Sequence, residues 1–154
     1  MMVHTPNIQT VSNYSALKGL TLLMEEEQTD AAIYNQLSRI LPGEAGRMLH
    51  QMSEQEQAHS ACLRGLYTLI TGKTPPMPNP SVQVGSVDAM LRTCYGREMR
   101  CLARYEARSR DPEYGQIFSR LAMQERTHCR NLLQIIEAQA AVCTDGKEAR
   151  LQPA

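Results

Sequence analysis

The chain has 154 residues, long enough for one domain with a real core. Sixteen Lys+Arg meet sixteen Asp+Glu, too even a balance for a nucleic-acid binder or an acidic tail. Twelve Glu against four Asp, nine Met, one Phe and no Trp, with abundant Leu, Ala, Gln and Arg, point to helix over strand.

Residues 1–14 are polar and read as a flexible N-terminus, without the basic and apolar regions of a secretory signal. A first helix is predicted over 15–41, with Leu17, Leu20, Met24, Glu27, Ala31, Tyr34 and Leu41 on one stripe, stopped by Pro42-Gly43. A second carries Ala45, Leu49, Met52, Glu56, His59, Leu63, Leu66 and Ile70. Four of the eight prolines fall between residues 71 and 85, which reads as a linker. Ser86 is the expected cap of a third helix, with Val87, Leu91, Cys94, Glu98, Cys101 or Leu102, and Tyr105 inward. Asp111-Pro112-Glu113 restarts a fourth helix, whose stripe is Tyr114, Phe118, Leu121, Glu125, His128, Leu132 and Ile135. Residues 143–154 read as a flexible tail, leaving 15–142 as the folded body. The remaining methionines, among them Met48, Met90, Met99 and Met123, read as adaptable core filling.

Two tight turns and one long connection describe two helical hairpins. A linker of about 15 residues spans roughly 50 Å when extended, more than the roughly 40 Å of a 27-residue helix. The expected fold is therefore an all-α four-helix bundle of two hairpins joined by a long crossover.

The stripes carry an anomaly. Glu27, Glu56, His59, Glu98, Glu125 and His128 occupy positions where apolar residues belong. Buried carboxylates are costly unless neutralised, and four together repel, so a cation is expected among them. Glu56-Gln57-Ala58-His59 and Glu125-Arg126-Thr127-His128 are both Glu-x-x-His, a spacing that offers a carboxylate and an imidazole from one helix turn. Glu27 lies 15 residues before Pro42 and Glu56 lies 14 after it; Glu98 lies 13 before Asp111 and Glu125 lies 14 after it. Equal distances from an antiparallel turn mean equal height, so all six fall in one layer. A shift of 69 residues also aligns Glu56, His59, Leu63 and Leu66 with Glu125, His128, Leu132 and Ile135, an internal repeat.

Two copies of Glu-x6-Tyr (Glu27 with Tyr34, Glu98 with Tyr105), each followed by Glu-x-x-His, resemble the ferritin-like di-iron carboxylate family, and the rubrerythrins within it. The resemblance covers about residues 15–140. It implies that Glu56 and Glu125 bridge two metals, that Glu27 with His59 and Glu98 with His128 complete one metal each, and that Tyr34 and Tyr105 hydrogen-bond to the carboxylates. It implies two iron ions as the cofactor. Oxygen and imidazole donors suit iron or manganese and also accept zinc. The activity implied is a peroxidase or ferroxidase reacting with peroxide or O2, fed by an external rubredoxin-like electron donor, in a homodimer whose long linker permits hairpin swapping. A di-iron monooxygenase and a non-catalytic metal binder are the other readings.

This sequence departs from the rubrerythrin pattern at two points. Rubrerythrins carry paired CxxC motifs, whereas Cys62, Cys94, Cys101, Cys129 and Cys143 form none; an odd set without a framework fits reduced thiols and a cytoplasmic location. Rubrerythrins also place an extra Glu one turn after the second single Glu. Cys101 stands there, while Asp30 follows Glu27 by one turn. These two are expected modulators of a site nearer the symmetric six-ligand ferroxidase type. No membrane and no nucleic-acid partner is expected, since no apolar run nears the roughly 18 residues of a membrane span.

Overall fold

The structure, a computed structural model, describes the backbone of residues 8–151. Four helices make up most of it: α1 (Ile8–Ile40), α2 (Gly43–Thr71), α3 (Val87–Arg108) and α4 (Gly115–Leu151). Of the tails expected to be flexible, residues 1–7 and 152–154 lie outside the described residues. The rest is helical, so α1 and α4 extend past the expected bounds at 15 and 142. An apolar stripe reports where a helix packs, not where its backbone bonding stops. Good helix formers such as Glu148, Ala149 and Arg150 continue it.

The helix ends follow local chemistry. Leu41 N–H donates to Leu37 C=O at 2.9 Å, and Pro42 and Gly43, at φ +68°, then reverse the chain. α2 ends at Thr71, and Gly72 follows at φ +70° with its N–H on Thr68 C=O at 2.8 Å, the left-handed exit that glycine takes without a Cβ penalty. Ser86 caps α3, its hydroxyl accepting from Ala89 N–H at 3.3 Å. Asp111 Oδ1 accepts from the N–H groups of Glu113 and Tyr114 at 2.9 and 2.8 Å. That is the expected cap, but Pro112–Tyr114 form a turn and α4 starts only at Gly115. Gly115 N–H donates to Asp111 C=O at 3.0 Å, and Ile117 N–H donates to Tyr114 C=O at 3.0 Å, a three-residue bond that tightens the entry.

Packing divides the chain into two compact units. One comprises α1 as far as Asn35 together with His50–Val82; the other comprises Gln36–Leu49 and the chain from Gln83 onward. In the first, Leu20, Leu23, Met24, Ile33, Met52, Leu63 and Leu66 are buried. Ser53 Oγ donates to Ala31 C=O at 2.8 Å and Gln28 Nε2 to Ser60 Oγ at 3.0 Å, tying α1 to α2. In the second, Leu91, Cys94, Cys101 and Tyr105 of α3 and Phe118, Leu121, Ala122, Cys129, Leu132 and Ile135 of α4 are buried. The Tyr105 and Phe118 rings stack with centroids 6.2 Å apart, and the Arg108 guanidinium lies 5.7 Å from the Phe118 centroid. Each fully buried side chain of this size contributes roughly 1.5–3 kcal/mol.

Burial resolves one ambiguity and corrects one expectation. Cys101, not Leu102, takes the inward position on α3. Met24 and Met52 fill core, whereas Met99 and Met123 are 45% and 64% exposed. They sit off the stripe, where the helix turn carries them outward. Among the described residues no helix is long and apolar enough to cross a membrane.

Candidate metal centre

In the first unit, Glu56 and His59 project from one turn of α2 and Glu27 from α1, all at most 2% exposed. His59 Nδ1 lies 2.9 Å from Glu56 Oε2 and 3.4 Å from Glu27 Oε2. Each of the three offers a donor atom within 4.8 Å of the others. Their backbones are pinned from both sides. Ser53, one turn before Glu56, is bonded to Ala31 C=O, and Ser60, next to His59, takes its bond from Gln28, next to Glu27. These serines were not singled out from the sequence. Their signal there is small polar residues on the buried stripe beside a Glu-x-x-His.

In the second unit, Glu125 and His128 of α4 and Glu98 of α3 are fully buried. His128 Nδ1 lies 3.4 Å from Glu125 Oε2 and 3.6 Å from Glu98 Oε1. These three also hold donor atoms within 4.8 Å of one another. Burial disfavours a charged imidazole, but hydrogen bonds and charge from Glu125 and Glu98 outweigh it and push the His128 pKa up to about 10. Burial, then the charges of Glu98 and Glu125, push the neighbouring Cys129 thiol up to about 11, so it stays protonated at neutral pH.

The other expected residues fall nearby. Tyr34 and Tyr105 are fully buried, seven residues beyond Glu27 and Glu98, and Tyr105 is clamped by Phe118. Asp30 and Cys101 are buried one turn beyond the same two acids, yet neither belongs to the donor clusters. Cys94 and Cys129 are buried, while Cys62 and Cys143 are exposed. His50 is exposed and 3.6 Å from Glu54, apart from the clusters.

Each half thus holds a donor set of two carboxylates and one imidazole out of water, and the first half buries Asp30 as well. Even with the imidazole protonated, acid exceeds base by one charge within each donor set. A donor set of carboxylate oxygens and one imidazole nitrogen, with surplus negative charge, fits a divalent ion of hard or borderline character.

No family model and no curated protein matches the chain. Among solved structures it is similar to a crystal structure of ferritin-like, diiron-carboxylate proteins from Bacillus anthracis str. Ames. The TM-score is 0.65 at 20% identity, over 80% of this chain and 96% of that one. The likeness shows the fold: an all-α, ferritin-like four-helix architecture with hairpins α1·α2 and α3·α4, as the sequence led one to expect.

Proposed function

We propose that the six buried carboxylate and imidazole side chains bind two iron ions, and that the protein is a rubrerythrin-like oxidoreductase acting on peroxide or O2. One observation carries the reading. The chain buries two equal sets of two carboxylates and an imidazole, one in each hairpin, at repeated positions. The solved structure of like fold is itself described as a diiron-carboxylate protein.

In this reading Glu27, Glu56, His59, Glu98, Glu125 and His128 would hold the two ions. A bound iron pair supplies Lewis acidity and reversible one-electron chemistry at each ion. The protein's own groups do the rest. Four carboxylates would balance the charge of two divalent ions. The hydrogen bonds at Ser53 and Ser60 hold the α1 and α2 turns in register, so the donors are preorganised. Tyr34 and Tyr105 orient the carboxylates. Cys101, where rubrerythrins place an extra Glu, leaves six ligands, nearer the ferroxidase type. Electrons for turnover come from a rubredoxin-like donor.

Rapid mixing of the anaerobic ferrous protein with peroxide, and separately with O2, tests this. Development of the near-ultraviolet absorption of an oxo-bridged ferric pair supports the reading, and faster development with peroxide marks the peroxidase. A protein that takes up zinc stoichiometrically but forms no ferric pair with either oxidant contradicts it.

A further inference from the structure

One cleft lies within a turn of Glu27. Thr21, Met24 and Glu25 of α1 face Pro76, Met77 and Pro78 of the α2–α3 connection across a space of about 220 Å³. Liquid water occupies about 30 Å³ per molecule, so a divalent ion with its first shell of waters fits. The outer wall is stiff, because two of its three residues are prolines with fixed φ. The inner wall is Met24, only 2% exposed.

Met24 precedes Glu27 by three residues, so the two lie on one face of α1, a turn apart. Side chains on a helix lean toward its N-terminus, which carries the Glu27 carboxylate toward Met24 and therefore toward the cleft. Glu25 lines the same cleft and is exposed. A thioether with three rotatable bonds is the side chain best suited to swing aside and return, and an acidic cleft concentrates cations at its mouth.

We propose that this cleft is the entrance by which divalent cations reach Glu27, with Glu25 drawing them in and Met24 acting as the gate. This rests on the metal-binding reading above and adds the route. Stopped-flow uptake of Co2+ by the metal-free protein, followed by its visible absorption, tests it without recourse to activity. Glu25→Lys slows uptake about tenfold at low ionic strength, and the difference shrinks in salt. Met24→Trp, which fills the cleft, slows uptake by at least about tenfold with unchanged stoichiometry, and Met24→Ala accelerates it. Should Met24→Trp fail to fold, the exposed Glu25 position still decides. Wild-type loading with every folded variant within twofold of its rate overturns the entrance alone. A wild-type chain that takes up no Co2+ overturns the metal-binding reading with it.

Discussion

His59 Nδ1 stands 2.9 Å from Glu56 Oε2, and both side chains are buried. The pair leaves one helical turn together, at i and i+3, and the same spacing on α4 sets His128 against Glu125 at 3.4 Å. With Glu27 and Glu98 added, the balance within each half is unfavourable unless a proton or a metal ion joins it. Such a region is built for binding at the expense of stability.

The stability cost can be measured. Glu56→Gln removes one buried charge while keeping volume and a polar end. Because it removes one of two like charges beside His59, this variant is expected to be more stable than wild type in the metal-free protein by on the order of 1 kcal/mol, read from urea unfolding in chelator. The gain is expected to vanish when metal is supplied, because only the wild type gains ligand stabilisation.

The His128 shift sets a pH dependence for the metal-free chain. Its folded pKa of about 10 lies above the ordinary 6.5. The stabilisation is therefore fully present below about pH 6.5 and is lost as pH rises through about 10. The melting temperature in chelator is expected to fall across that window, and His128→Gln to flatten the fall. The same proton leaves when a metal ligates the ring, so metal uptake at neutral pH is expected to release protons, measurable with a pH indicator.

Glycine positions separate cleanly. A Cβ on Gly46 would run into the carbonyl oxygen of Leu41, whereas one on Gly65 meets nothing within 4 Å. Gly46→Ala is expected to destabilise by about 1–3 kcal/mol, because the close α1–α2 turn must open. Gly65→Ala, at an exposed position inside α2, is expected to stabilise by up to about 1 kcal/mol. Denaturant midpoints of the two variants test the pair.

Thiol labelling of the native protein at neutral pH is expected to modify Cys62 and Cys143 quickly and to spare Cys94, Cys101 and Cys129. Cys129 is doubly protected, by burial and by a thiol pushed up to about 11. Peptide mapping after a short pulse of alkylating reagent reads this directly.

Much of the site was legible in the sequence because charge on an apolar stripe is rare. Glu27, Glu98 and the two Glu-x-x-His turns violate the pattern of their own helices, and the structure buries all six residues. Counting from the turns located them along each hairpin, since rise per residue is fixed in a helix. What stayed hidden depends on rotation and on partners. Cys101 and Leu102 are one residue apart, and only packing shows which faces in. Met99 and Met123 are apolar by composition yet exposed by position. The Ser53 and Gln28 bonds join residues 22 and 32 apart, and no local pattern announces such a pairing. Asp111 revealed its cap but not the turn that delays α4 to Gly115, because the same side-chain acceptor serves a turn or a helix.

Anaerobic ferrous iron titration of the metal-free protein, with bound metal counted per chain, tests the central claim most directly. Saturation at two ions per chain in wild type, with loss of stoichiometric binding in Glu56→Ala, is the result this account expects. Two ions bound by Glu56→Ala with wild-type affinity, or no stoichiometric binding by wild type, would contradict it.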